Sequence, residues 1–318
     1  MSLLGVFGSA VLPVMAIAAV GFVLGRKKNV AVGPLNTATV YVLAPALVFH
    51  SLAVTELSGG AILRVTAGVV VFSVVMAVIG EIVGRFSGDS DPMVSALILV
   101  AAFSNSGNLG IPISDFAFGD VGRQTAVLFL SVQAVMMYTL GVYVASRSGG
   151  ASGLAGIDKV FRIPLVYAVG AALLARWLDV VPPANAASME AVGLVGDSAI
   201  PVMLLILGIQ LAQTDYGSAL KSTGTATALR LGVAPLVGLG IALLVGFDNP
   251  TVARVFVLEC AMPAAVTPLI LVVEFAGDAG TDALSVPEFI STSVLVTTLL
   301  SIPLLTGLIV LLQSGIVI

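Results

Sequence analysis

Residues 103–112 read FSNSGNLGIP and interrupt a segment that otherwise consists mostly of Ala, Val, Leu and Ile. Pro112 has no N–H to donate to the carbonyl of Asn108, and Gly107 and Gly110 offer little resistance to an unwound turn. The stretch therefore predicts that a helix breaks here. Its Asn and Ser side chains add neutral hydrogen-bonding groups at the break.

The rest of the chain has the composition of a membrane protein. Of its 318 residues, 58% are hydrophobic and 9% are charged, with a mean hydropathy of +1.15, whereas about a quarter of the residues in a soluble domain are charged. A spanning helix needs about 20 apolar residues. Ten such windows predict an all-α polytopic protein, and they lie at 3–25, 32–54, 61–84, 93–118, 124–146, 163–181, 189–212, 220–246, 251–276 and 287–312.

The distribution of Lys and Arg predicts the orientation, because cytoplasmic loops carry the excess of these residues. Eight of them fall in the loops on one side of the predicted spans and four on the other. The richer side is predicted to be cytoplasmic, which places both termini outside the plasma membrane. The single cysteine and the single histidine argue against a metal centre, and we expect no cofactor and no nucleic-acid partner.

A Gly- and Ser-rich, charged segment at 146–162 divides the chain nearly in half and is typical of a linker. We predict a first five-helix repeat at 1–146, a short cytoplasmic linker at 147–162 and a second five-helix repeat at 163–318. The halves share motifs in the same order, since Pro45 corresponds to Pro201 and Pro112 to Pro268. Because each half has an odd number of spans, the second is inverted relative to the first, as in many secondary transporters.

The counterpart of the opening stretch is ECAMPAAVTP at 259–268, in the ninth window. Its two prolines, Pro263 and Pro268, predict a second break. Irregular backbone at membrane depth is tolerated only where it is buried in protein or lines a cavity. Two half-helices that begin at such breaks present unpaired N–H groups and positive dipole ends, which suit a carboxylate. The alternative is that both stretches are simple kinks, with Asn forming hydrogen bonds between helices.

At these residues the sequence resembles the auxin efflux carrier family, within the wider superfamily of bile-acid, auxin and related transporters. Ser104, Asn105 and Ser106 precede Gly-Ile-Pro at 110–112, as Pro-Asn-Thr does in the plant carriers. The run at 262–268 is similar to their Leu-Pro-Gln-Gly-Ile-Val-Pro. Two further similarities lie in the second and seventh windows, at Pro45, Phe49 and His50, and at Asp197, Leu207 and Gly208.

The resemblance implies a ten-helix carrier for a small organic anion, such as an auxin-like acid or a dicarboxylate, that works by an elevator-type movement and forms a homodimer in the lipid bilayer. It also implies that Asn105 contacts a carboxylate where the broken fourth and ninth helices cross. Two residues depart from the family pattern: Ala264 replaces a glutamine, and Glu259 replaces an amide. The predicted substrate-binding residues are Ser104, Asn105, Ser106, Asn108, Gly110, Pro112, Pro263, Ala264, Thr267 and Pro268.

Polar residues inside the predicted spans are candidates for an ion or coupling site, because an ionisable group costs about 2.5–3.5 kcal/mol to insert. Asp197 and Glu259 are predicted to take up a proton or bind a cation, or else to face a water-filled vestibule. Gln133 and His50 are candidates for the same site or for hydrogen bonds between helices. Arg230 in the eighth window is expected to snorkel towards the cytoplasm or to form a structural ion pair, with attraction of anions as the alternative.

Three other functions are weighed against an anion carrier. A Na⁺- or H⁺-coupled organic-acid symporter of the bile-acid-transporter type has the same five-plus-five plan. The sequence GLVGD at 193–197 is similar to the Gly-x-Gly-Asp of aspartyl membrane proteases, but its spacing differs, and we expect no enzyme. A ligand-sensing receptor is disfavoured because we find no soluble output domain.

Overall fold

The computed structural model of the chain describes residues 3–28, 30–55, 57–147, 164–213, 223–275 and 286–318. These residues are helical apart from loops and one isolated antiparallel bridge. Seven helices are long and apolar enough to cross a membrane, and α4 and α6 are shorter apolar helices. The helices are α1 Leu4–Lys28, α2 Val32–Ala53, α3 Gly59–Phe86, α4 Asp91–Ala102, α5 Ser106–Ser146, α6 Pro164–Trp177, α7 Ala187–Gln213, α8 Gly224–Val245, α9 Pro250–Cys260, α10 Thr267–Phe275 and α11 Val286–Gln313.

Helix α5 consists of two arms. Its 41 residues are too many for one crossing, which takes about 17–25. Gly119 interrupts it with φ 65° and ψ −152°, a conformation that glycine adopts without strain. The first arm therefore covers 106–118 and the second 120–146. With this division every predicted apolar window contains helix, and the prediction of an all-helical membrane protein is confirmed. The predicted linker at 147–162 lies outside the described residues apart from Arg147.

The helices form two bundles. Helices α1, α2, α6 and α7 pack on one another and are called the four-helix bundle below. The crossover bundle contains α3, α4, α5, α8, α9, α10 and α11. Small residues bring α1 and α7 together, because a Cβ on Gly208 would overlap the carbonyl oxygen of Ala18 and one on Gly21 would overlap that of Leu205. Such close backbone contacts are typical of helix packing in membranes.

Aromatic side chains fill the centre of the crossover bundle. The ring centroids of Phe72 and Phe129 are 6.5 Å apart, and those of Phe129 and Phe256 are 5.7 Å apart. Gly68 of α3 makes room for the Phe256 ring, since a Cβ there would lie 2.8 Å from it. This apolar core joins α3, the second arm of α5 and α9, and it holds the broken helices in place.

The ends of the helices define two faces of the molecule. Arg147, just after α5, donates to Glu81 near the end of α3 at 2.7 Å, and Gln213 at the end of α7 donates to the carbonyl of Val30 at 3.0 Å. We call this side the Arg147 face. The opposite side, where α5 turns at Gly119 and its second arm begins, is called the Arg123 face.

Candidate substrate and ion site

The two broken helices meet at their breaks. Asn105 N donates to the carbonyl of Pro263 at 2.8 Å, and Ala265 N donates to that of Phe103 at 3.1 Å. These bonds flank an antiparallel bridge between Ser104 and Ala264. These two bonds between the segments 103–105 and 261–266 satisfy some of the backbone groups that helix ends leave unpaired. We call this pair of segments the crossover.

The first break lies earlier in the chain than predicted. Residues Phe103 to Asn105 are non-helical, whereas Ser106–Gly110 form a π-helical turn in which Gly110 N donates to the carbonyl of Asn105 at 2.9 Å. The break therefore lies within the predicted stretch 103–112, but at its start and not at Pro112. Pro112 lies near the start of the regular helix that follows, where its missing N–H costs little. The second break contains Pro263 as predicted, and Pro268 is the second residue of α10.

Side chains from neighbouring helices hold both breaks in place. Gln133, on the second arm of α5, accepts from the Ser104 hydroxyl and donates to the Ser106 hydroxyl, each at 2.8 Å. The same amide also accepts from Ser104 N at 3.1 Å and donates to Ser104 O at 2.8 Å. Thr297 of α11 accepts from Ala264 N at 3.1 Å. In this conformation Gln133 and the two serine hydroxyls bind one another.

The predicted asparagines differ in their environments. Asn105 is 5% exposed, and its Nδ2 has no hydrogen-bond partner among the described residues. Leaving a buried donor unsatisfied costs about 1–3 kcal/mol. This amide is therefore a candidate hydrogen-bond donor to a bound substrate. Asn108 and Thr267 are half-buried, while the other substrate-binding residues predicted from the sequence are buried at the crossover or beside it, namely Ser104, Ser106, Gly110, Pro112, Pro263, Ala264 and Pro268.

Glu259 lies at the end of α9 and reaches the first arm of α5. Its side chain is fully buried; Oε1 accepts from the Ser114 hydroxyl at 2.7 Å, and Oε2 has no partner among the described residues. A Cβ on Gly110 would overlap Oε2 and lie 2.8 Å from the carboxyl carbon. Ser114 was not predicted from the sequence, although its spacing of four residues from Gly110 puts both on one helix face.

Arg230 is buried at the crossover. It is 0% exposed, and it donates to the carbonyl of Met262 at 2.8 Å, to that of Ala101 at 2.6 Å and to that of Cys260. Arg230 therefore does not snorkel, and within the described part of the chain its partners are carbonyl oxygens and not the acid of an ion pair, contrary to expectation. Hydropathy reports that a cation lies in an apolar window, but it does not report that carbonyl oxygens surround it.

Asp197 and His50 lie away from the broken segments in the packing of α7. Asp197 borders the interruption of α7 at Ser198, and it accepts from Arg123 on the second arm of α5 at 2.8 Å. The His50 ring packs against Gly193, where a Cβ would lie 2.9 Å from Nε2. Within the described residues no group of three or more His, Cys, Asp or Glu side chains is arranged to hold a metal ion.

A cavity of about 470 Å³ lies between the two bundles. It begins at Val266 in the second break and extends to Val32, Gln213 and Glu288 at helix ends on the Arg147 face. Most of its lining is aliphatic, with polar groups contributed by Gln210, Gln213, Glu288, Ser291 and Thr292. The cavity is large enough for a small organic molecule, and it connects the crossover with one side of the protein.

Two bundles of membrane helices with crossing broken segments and a cavity between them define a membrane transporter. The model of the Membrane transport protein family matches residues 6–159 and again residues 157–309. The chain therefore belongs to this family, that of the auxin efflux carriers. Since a single family model matches twice, the chain is built from two repeated halves.

Curated relatives cover nearly the whole chain. An "Uncharacterized transporter" of Methanothermobacter thermautotrophicus is 27% identical over 304 residues, covering 92% of this chain and 95% of that protein. A "Putative malonate transporter" of Rhizobium meliloti is 24% identical and covers 96% of this chain and 95% of its own length. These similarities agree with a transporter and not with an enzyme.

Proposed function

We propose that this protein is a carrier that moves a small organic anion with a carboxylate group across the plasma membrane. The observation that carries this proposal is the antiparallel pairing of 103–105 with 261–266 beside the cavity. The helices that start at Ser106 and at Thr267 direct their positive ends towards this region. The substrate contacts in this proposal are the ten residues predicted from the sequence, among them the buried Asn105.

The residues that line the cavity indicate which kind of carboxylic acid it would bind. Its lining residues in the described part of the chain include seven Val and Leu side chains and no Lys or Arg, which favours an acid with an apolar portion. The name of the R. meliloti relative refers to malonate, a dicarboxylate. Both kinds of acid belong in the first substrate screen, which would follow thermal stabilisation of the purified protein, since a ligand that binds the folded state raises its stability.

The mechanism in this proposal is elevator-type alternating access by a ten-span, five-plus-five inverted repeat. Its repeats are 1–146 and 163–318, and the Arg147 face is cytoplasmic, so both termini lie outside. An apolar void of about 60 Å³ separates Leu109 and Ile113 of the crossover bundle from Leu207 and Leu211 of the four-helix bundle. It supports movement of one bundle past the other, because apolar side chains form no hydrogen bonds that would have to break. A homodimer would anchor the four-helix bundle.

Glu259 is the best-supported coupling residue in this proposal. A fully buried carboxyl group with one unpartnered oxygen is stabilised by a proton or a cation, and this one bridges α9 and the first arm of α5 through Ser114. Asp197, His50 and Gln133 have protein partners or neighbours instead. An organic-acid symporter of the bile-acid-transporter type, driven by Na⁺ or H⁺ at Glu259, is the second candidate function.

Asn105→Ala is expected to weaken carboxylate binding at least about tenfold, because a hydrogen bond to a charged group contributes about 1.5–3 kcal/mol. Thermal-shift titration with malonate and with an aromatic monocarboxylate measures the affinity, and uptake into proteoliposomes measures transport. Asn185→Ala, in an exposed turn, is the control and should behave like the native protein. Unchanged affinity in Asn105→Ala would mean that the first break does not bind the substrate.

Glu259→Gln is expected to remove the dependence of uptake on the driving cation while substrate exchange between the two sides continues. The amide keeps the size of the side chain but cannot take up a proton and binds a cation poorly. Uptake into proteoliposomes is compared with an imposed Na⁺ gradient, a pH gradient or neither. Glu190→Gln, at an exposed position of α7, is the control. A variant that still responds to the same gradient as the native protein would exclude Glu259 as the coupling site.

A further inference from the structure

The crossover brings together the C-terminal ends of two helices. Helix α4 ends at Ala102 and α9 ends at Cys260, and the two breaks that follow them are paired. The last carbonyls of each helix lack partners within the helix, and each C-terminus carries a partial negative charge. Two negative ends next to a site for an anion would oppose binding unless something balances them.

A single guanidinium contacts both of these ends. Arg230 donates to Ala101 O in the last turn of α4 at 2.6 Å, to Cys260 O at the end of α9 and to Met262 O in the second break at 2.8 Å. The planar fork of arginine can reach several acceptors at once, which a lysine ammonium cannot do with the same geometry. Arg230 therefore joins one repeat to the other.

The environment of Arg230 is built to keep a cation in place. The side chain is 0% exposed, and its guanidinium carbon lies 5.6 Å from the centre of the Phe72 ring, within the range of a cation–π interaction. Arg230 is carried by a π-helical turn, Ala228–Val233, and such turns are frequent at functional sites. A buried charge is costly unless it is compensated, and here three carbonyl dipoles and an aromatic face compensate it.

We propose that Arg230 is a positioning residue of the crossover. Its hydrogen bonds hold the C-terminal ends of α4 and α9 together. Its charge balances the partial negative charges of these two ends, so that the partial positive charges at Ser106 and Thr267 dominate the electrostatic potential at the anion site. The statement about the anion rests on the proposed function. The two contributions can be separated by substitution. The hydrogen bonds depend on the planar geometry of the guanidinium, whereas the compensation of the negative helix ends depends only on the positive charge.

Two substitutions distinguish the contributions. Arg230→Lys keeps the charge without the fork, and Arg230→Gln keeps a donor without the charge. The matched control is Arg176→Gln, because Arg176 also donates to carbonyls at the C-terminal end of a helix, those of Leu52 in the last turn of α2 at 3.1 Å and of Thr55 just after it at 2.7 Å, but in the four-helix bundle.

The first measurement is hydrogen–deuterium exchange in the purified protein, which needs no substrate. Both Arg230 variants should exchange the amides of 103–105, 261, 262, 264 and 265 at least tenfold faster than the native protein, and Arg176→Gln should leave them unchanged. Native exchange rates in Arg230→Lys or Arg230→Gln would overturn the positioning role. If Arg230→Gln does not give folded protein, Arg230→Lys alone decides this point.

The second measurement compares binding of malonate with that of its neutral analogue malonamide. The preference for malonate should fall at least tenfold in Arg230→Gln and be largely restored in Arg230→Lys, whereas a purely structural defect would weaken both ligands alike. An equal preference in Arg230→Gln and the native protein would overturn the charge contribution. If the native protein binds neither malonate nor any other carboxylate, the proposed function and the charge contribution fail together, and the exchange data still judge the positioning role.

Discussion

Gly110→Ala is expected to reduce transport by about ten- to a hundredfold. Its Cβ would overlap Oε2 of Glu259, and a shift of this fully buried side chain would disturb the hydrogen bond of its Oε1 with Ser114. Overpacking a buried site costs about 1–3 kcal/mol, and here the strain falls on the contact between the first arm of α5 and α9. Uptake into proteoliposomes measures the effect, and size-exclusion chromatography reports whether the protein is folded.

Gly107→Ala is the matched control for this substitution. It lies in the same π-helical turn, but a Cβ there would only reach Leu130 at an ordinary distance of 3.5 Å. Shortening the carboxylate side chain with Glu259→Asp should make room and partly restore transport to Gly110→Ala. Equal activity of Gly110→Ala and Gly107→Ala would show that transport does not depend on the close approach of these helices.

Asp197→Arg is expected to lower transport about tenfold and to loosen the Arg123 face. The second arm of α5 contacts the four-helix bundle there through Arg123, which donates to Asp197 at 2.8 Å, and through Gln124, which accepts from Thr55 at 2.7 Å. Since the cavity lies towards the Arg147 face, these contacts close the opposite side. Reversing one charge replaces an attraction with repulsion between the bundles. This shifts the equilibrium between the conformation open to the Arg147 face and the one open to the Arg123 face.

The double substitution Arg123→Asp with Asp197→Arg tests the cause, because it restores an ion pair of opposite direction. Transport and hydrogen exchange at 195–200 should return towards native values, and the cycle of four proteins gives the interaction between the two residues. The control is Asp248→Arg, whose partner Arg64 lies 2.5 Å away within the crossover bundle. A double variant no more active than Asp197→Arg would exclude the ion pair as a link between the bundles.

Composition and prolines were enough to predict the helices and the existence of two breaks. A spanning helix needs a long apolar window. Pro263 interrupts a helix because it has no N–H to donate, and it lies in the second break. The position of the first break was not predictable in the same way. Residues 103–105 are non-helical, and their backbone pairs with 263–265, a partner about 160 residues away that no local rule for Gly or Pro can reveal.

Polar residues within the apolar windows were harder to interpret than the windows themselves. Glu259 was identified as a candidate from its charge alone, but its partner Ser114 and its contact with Gly110 depend on how two half-helices cross. The same holds for Arg230, whose carbonyl partners lie on α4 and after α9. Asp197 reaches Arg123 only because the turn at Gly119 starts the second arm of α5 beside α7. In each case the chemistry was visible in the sequence, and the neighbours were set by tertiary packing.

The pairing at the crossover also bears on how such proteins evolve. Its two flanking bonds use peptide N–H and C=O groups, which every residue supplies except that proline lacks the donor. Substitutions in the paired segments therefore keep the donors of these two bonds as long as residues 105 and 265 are not replaced by proline. A family can then change its cargo by altering nearby side chains, which fits relatives that share about a quarter of their residues with this chain.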